Sequence, residues 1–237
     1  MMFDFSDQVI IVTGATGNLG SAVVQAFHAA GAHIVAPDRS TGRARELFPE
    51  LAGSKDHILA DGVDVTDPEQ VGRLVQETLD RFERIDVLVN TVGGFRAGPS
   101  VHETPLEAWD FLFNLNARSV FIASRAVVPA MLRQGRGKIV NIGSHSALMA
   151  QGGDAAYSAS KSVVARLTES MAAEYKNNGI QVNAILPAAL VSTADLQADP
   201  TRGVTPDSVA QVILFLCSET GGIINGALIP LYGRHIY

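Results

Sequence analysis

Val9-Ile10-Ile11-Val12-Thr13-Gly14-Ala15-Thr16-Gly17-Asn18-Leu19-Gly20 is the stretch whose reading decides the fold. Residues 9–12 are a run of aliphatic, mostly β-branched side chains and read as a buried strand, which Thr13-Gly14 ends. From residue 19 to residue 30, Val23, Val24, Ala26, Phe27 and Ala30 fall at helical spacing, and Gly31 stops the helix. A strand, a glycine-rich turn and a helix in this order form a cradle for a pyrophosphate. Glycines let the backbone approach the phosphates, and the helix N-terminus offers unpaired N–H groups. The residues expected to line that cradle are Gly14, Thr16, Gly17, Asn18 and Leu19.

The same alternation continues along the chain. Residues 33–36, 57–65, 85–89, 138–142, 180–186 and 227–231 read as further strands. Between them lie helical segments at 68–82, 105–133, 155–177 and 206–218. Asp67 is a good N-cap and Pro68 suits the first helical turn. Strict alternation predicts an α/β fold: a single-domain, doubly wound parallel sheet of about seven strands flanked by helices, spanning residues 1–237. Its ligand crevice is expected at the carboxyl ends of the strands. Residues 187–205 have few regular apolar positions and read as a substrate loop or lid.

Composition narrows the partners. Hydrophobic residues make up 47% of the chain, enough for a substantial core. The formal charge of −6, with no run of Lys or Arg, argues against a nucleic-acid partner. No apolar run reaches the ~18 residues of a membrane span, and the N-terminus lacks a basic start. No membrane association is expected, and the chain reads as cytoplasmic. Cys217 is the single cysteine and sits in an apolar run, so it reads as a buried thiol. No spacing of His, Cys, Asp or Glu reads as a metal site.

Chemistry-bearing residues cluster at strand ends. Asp38, 18 residues after Gly20, is placed to accept from the adenosine ribose hydroxyls of NAD. It also opposes the 2′-phosphate of NADP, since two like charges ~4 Å apart repel by about 4 kcal/mol at an effective dielectric of 20. Arg39 beside it favours NADP instead. NAD is the preferred expectation, with NADP as the alternative. Asp64 and Val65, expected to end the third strand, face the adenine in this reading. Asn90, Thr91 and Gly93, after the fourth strand, complete the cofactor contacts. Tyr157 and Lys161 stand four apart on one helix face. An ammonium near a phenol favours the phenolate and lowers its pKa, so that the tyrosine can exchange a proton with a hydroxyl or carbonyl. Ser144, after the fifth strand, is placed to hold the substrate oxygen. Asn116 sits inside a helix despite its poor propensity, with Asn114 as its rival.

Taken together, Thr13 to Gly20, Asp64, the Asn90 loop, Asn116, Ser144, Tyr157-x-x-x-Lys161 and Pro187 resemble the short-chain dehydrogenase/reductase family over essentially the whole chain. The resemblance implies a Rossmann domain, a nicotinamide cofactor and an Asn116-Ser144-Tyr157-Lys161 tetrad that moves a hydride between a nicotinamide and a ketone or secondary alcohol. It implies Tyr157 as general acid/base, with Ser144 orienting the substrate oxygen. Lys161 would bind the nicotinamide ribose, and Asn116 would position a relay water. Pro187 and Leu190 would border the nicotinamide. It also implies a homotetramer or dimer joined through the two long helices. Three positions depart from the family pattern. Asn18 stands where a glycine is usual, with Gly17 before it; Thr91-Val92 replace Asn-Ala; and Ala188 follows Pro187. The substrate pocket is expected to be lined by Phe95, His145, Ser146, Met149 and Leu190, with Arg96 as the nearest cation. The rival reading is a non-catalytic dinucleotide-sensing protein, which such a glycine loop also resembles. A serine hydrolase is disfavoured because Ser144 lacks the Gly-x-Ser-x-Gly elbow.

Overall fold

The computed structural model describes residues 3–199 and 203–233. The hydrophobic runs become seven strands: β1 (Val9–Thr13), β2 (His33–Asp38), β3 (Ile58–Asp61), β4 (Val87–Asn90), β5 (Gly137–Ile142), β6 (Ile180–Pro187) and β7 (Leu228–Leu231). They form one parallel sheet in the order β3-β2-β1-β4-β5-β6-β7. The expected doubly wound α/β fold is what the chain adopts.

The helices are α1 (Asn18–Ala29), α2 (Arg43–Leu47), α3 (Pro68–Phe82), α4 (Leu106–Phe113), α5 (Ser119–Gln134), α6 (Ala155–Tyr175), α7 (Thr193–Ala198) and α8 (Pro206–Cys217). Successive side chains of a strand point to opposite faces, and β1 divides its residues accordingly. Ile10 and Val12 pack with Val23 and Phe27 of α1 and Val209 and Ile213 of α8. Val9 and Ile11 pack on the other face with Leu74 of α3, Val127 and Met131 of α5, and Met171 of α6. Both faces of β1 are therefore dry, which is why its sequence runs without polar alternation.

Local chemistry sets the element ends. Asp67 caps α3, its carboxylate accepting from the N–H groups of Glu69 (2.8 Å) and Gln70 (3.2 Å). The single long helix expected over 105–133 is instead two helices joined by a π turn at Asn114–Arg118. Such turns recur at functional sites, because the extra residue re-aims the side chains around it. The third strand is shorter than expected. It stops at Asp61, and Gly62 then turns the chain through a positive φ of 72°. Asp64 and Val65 therefore lie in the following turn and do not end the strand. Two short helices, α2 and α7, fall in segments with no marked helical period. α7 lies within the expected loop at 187–205, of which residues 200–202 lie outside the described residues. The base of that loop is tied by a bridge between Leu190 and Val204. No helix among the described residues is long and apolar enough to cross a membrane.

Candidate active site

β1 lies between β2 and β4, so chain direction from β1 diverges to either side of it, and a crevice opens at the strand ends. Thr13 and Asn90 pair across that edge. Gly14 adopts φ 68°, and a Cβ on Gly20 would sit 2.0 Å from the Gly14 carbonyl oxygen, so neither position admits a side chain as the loop stands. Gly17 is the N-cap of α1 and brings no side chain to its first-turn N–H groups, which are left to face the crevice. Asn18 is the first helical residue, so the shifted glycine pattern still delivers a helix N-terminus to the cradle.

From this cradle a groove of about 530 Å³ runs over the edge of β2, lined among others by Gly14, Thr16, Gly17, Asp38, Arg39, Arg43, Asp64 and Val65. Asp38 is buried. Its carboxylate accepts from the Ser40 N–H at 2.6 Å and from the Thr16 hydroxyl. Arg39 is exposed at the groove, and Arg43 donates to the Thr16 carbonyl at 3.3 Å. Arg43 has no special signal in the sequence; only the turn into α2 brings it here. Asn90, expected to touch a cofactor, ends β4. Its amide is spent inside the sheet, donating to Asn141 Oδ1 at 2.9 Å and Ser124 Oγ at 3.4 Å, and neither cavity is walled by it.

A second cavity of about 490 Å³ continues from the first past Thr91 and Gly93. Leu19, Phe95, Ser144, Ser146, Tyr157, Lys161, Pro187 and Leu190 are among its walls. Ser144, Tyr157 and Lys161 thus converge from β5 and α6 on one space. Ser144 and Tyr157 wall the same cavity, and the Ser144 hydroxyl accepts from the Ser146 N–H at 3.2 Å. Phe95 stands edge-on to the Tyr157 ring at 4.9 Å. Met149 is exposed and does not wall the cavity, and His145 packs edge-on against Tyr232 at 5.0 Å. Arg96 stacks over Phe111 at 5.3 Å and is likewise absent from the wall.

The electrostatics differ from the sequence expectation. Burial pushes the Tyr157 phenol above its ordinary pKa; the neighbouring Ser144 hydroxyl pulls it down and the nearby Asp154 carboxylate pushes it up. Lys161 does not offset this. Its ammonium is buried, donates to the Ile142 carbonyl at 2.9 Å, and is itself lowered by desolvation to about 8. Asn116 lies behind this cavity, against the Gly93–Gly94 loop and Lys161. It is fully buried in the π turn, and its side chain is bound to Gly94 and Ser160. Asn114 instead accepts from Arg118 at 3.3 Å. Among the described residues, no three His, Cys, Asp or Glu side chains are grouped to hold a metal.

Comparison with known proteins agrees with this architecture. The model of the short chain dehydrogenases matches residues 8–202. The chain is 35% identical to 2-(R)-hydroxypropyl-CoM dehydrogenase of Xanthobacter autotrophicus, over 96% of this chain and 98% of that protein. It is 33% identical to D-threitol dehydrogenase of Mycolicibacterium smegmatis, over 98% and 95%. It is 32% identical to a 3-oxoacyl-[acyl-carrier-protein] reductase of Thermotoga maritima, over 95% and 96%. A solved structure titled "Crystal structure of gox2181" superposes with a TM-score of 0.88 at 30% identity, covering 96% of this chain and 95% of that one. The chain therefore belongs to the short-chain dehydrogenase/reductase family and is an oxidoreductase of the NAD(P)-dependent kind. The two joined cavities, the side-chain-free cradle and the uncapped start of α1 fit such a dinucleotide.

Proposed function

We propose that this protein transfers hydride between a nicotinamide cofactor and a ketone or secondary alcohol, with Tyr157 as the general acid/base. The observation that carries this reading is that Ser144, Tyr157 and Lys161 wall one cavity, which is continuous with the dinucleotide groove. In reduction, Tyr157 donates its proton to the developing alkoxide, and Ser144 holds the same oxygen. The raised phenol pKa suits a group that must be protonated when it acts as the acid. The nicotinamide supplies or receives the hydride when bound. Lys161, beside Gly93 and Tyr157, provides the cation that binds the nicotinamide ribose. The cradle residues Gly14, Thr16, Gly17, Asn18 and Leu19 take the pyrophosphate, and Asp38 takes the adenosine ribose.

NAD is the favoured cofactor, because the buried Asp38 carboxylate opposes a 2′-phosphate. The substrate faces Phe95, Ser146, Ala188, Ala189 and Leu190, a largely apolar wall. A homo-oligomer through the long helices is also proposed. Trp109, Phe111, Phe121 and Val163 lie exposed on α4, α5 and α6, an apolar area larger than isolated surface side chains require. Light scattering that returns a monomer would overturn that assembly.

The test of the central claim is NADH depletion with a panel of ketones, run on wild type and Tyr157→Phe. The expected result is turnover by wild type and a loss of 10²-fold or more in kcat for the variant, with cofactor binding kept. Wild type that binds cofactor without turning over any ketone or alcohol would instead mark a sensing protein.

A further inference from the structure

Asn116 and Ser160 connect three segments that meet at Tyr157. The Asn116 Oδ1 accepts the Gly94 N–H at 2.8 Å, and its Nδ2 donates to the Gly94 carbonyl at 3.1 Å. The Gly94 N–H fixes which way the amide points, since a flipped amide would oppose two donors. The second Nδ2 proton goes to Ser160 Oγ at 3.0 Å. Ser160 in turn donates to the backbone carbonyl of Tyr157 at 2.7 Å. Both side chains are fully buried, so water does not compete for these bonds. Gly94 leads directly to Phe95, whose ring stands at 89° to the Tyr157 ring, 4.9 Å away. The contacts close a circuit that starts at the Tyr157 backbone and returns to its ring.

Space around the circuit is tight. A Cβ on Gly93 would lie 3.0 Å from Asn116 Oδ1 and 2.9 Å from Lys161 Nζ. The loop after β4 therefore lies directly against Asn116 and Lys161, with no room for a side chain at Gly93. Phe95 is 65% exposed, so little besides this loop backbone fixes its ring.

We propose that the Asn116–Ser160 pair is a clamp that sets the orientation of the Tyr157 phenol through the Gly94–Phe95 loop. Ser160 is then a positioning residue for proton transfer: it touches neither cofactor nor substrate, and it acts through Tyr157 from both sides of the circuit. The proposal rests on Tyr157 being the acid/base.

A double-mutant cycle of Ser160→Ala and Phe95→Leu tests it, read by kcat, by both KM values and by the pH dependence of kcat. Ser160→Ala should lower kcat about tenfold or more, with the cofactor KM within twofold and the tyrosine limb of the pH profile displaced. Phe95→Leu should lower kcat several-fold. The double variant should be no slower than the slower single one, because both break the same circuit. Independent, multiplicative losses overturn the clamp, as does an unchanged kcat in either single variant. If Ser160→Ala fails to bind cofactor, Phe95→Leu decides alone. Phe95 also faces the substrate, so its kcat alone does not discriminate: a displaced tyrosine limb of the pH profile at unchanged cofactor KM supports the clamp, and an undisplaced limb refutes it. A wild-type chain inactive on every ketone and alcohol counts against the acid/base reading itself. An active wild type with multiplicative losses counts against the clamp only.

Discussion

Replacing Lys161 by Met should make the protein more stable while destroying its activity. Lys161 is 4% exposed, and its ammonium donates to the Ile142 carbonyl at 2.9 Å. Burial lowers its pKa from 10.5 to about 8. That depression corresponds to roughly 3 kcal/mol against the charged form. The sign follows from proton counts. Below pH 8 both folded and unfolded chains hold the proton, and the folded state carries the whole penalty. Between pH 8 and 10.5 the folded lysine releases its proton first, so the unfolded state binds more protons and stability rises with pH. Above about 10.5 both are neutral and the penalty is gone. Methionine has similar length and no charge, so it removes the penalty throughout. The lost charge-assisted hydrogen bond to the buried Ile142 carbonyl takes back about 2 kcal/mol. The net gain near pH 7 is about 1 kcal/mol, or about 2–4 °C in Tm for a chain of this size. Thermal melts of both proteins at pH 7 and pH 10, followed by circular dichroism without cofactor, measure it. The variant should melt higher at pH 7, and the gap should narrow by pH 10. A variant that melts below wild type at pH 7, or a gap independent of pH, would refute the reasoning.

Asp38→Ser should raise the NADPH-to-NADH ratio of kcat/KM by tenfold or more, because it removes a charge facing the 2′ position while leaving Arg39 and Arg43 at the groove; an unmoved ratio would place cofactor choice elsewhere. Gly93→Ala should lower kcat at least tenfold, since its methyl would press on Lys161 Nζ and Asn116 Oδ1 together; unaltered kinetics would show the loop to be looser than drawn. Gly20→Ala should cost about 1–3 kcal/mol in stability, because the methyl meets the Gly14 carbonyl at 2.0 Å and forces the backbone to shift; a wild-type melting curve would contradict that packing.

The sequence by itself determined the sheet and its crevice. β-branched runs, helix-period segments and the glycine turn at 13–20 are local signals, and parallel crossovers leave few ways to arrange them. It also marked Tyr157, Lys161 and Ser144, because four residues apart on a helix or two residues past a strand fix position without tertiary knowledge. It did not reveal α2 or α7, whose five and six residues are too short to show a period. It did not reveal that the Asn90 amide donates to Asn141 and Ser124, since residue type says nothing of whether an amide turns into a sheet or out to a cavity. Tertiary structure alone decided the pKa directions: Lys161 and Tyr157 share a helix face, yet burial dominates the titration of both. It alone decided the place of Asn116 as well. A π turn aims that amide at Gly94 and Ser160, residues 22 and 44 positions away, and a bond across such separations is set by packing that no local pattern encodes.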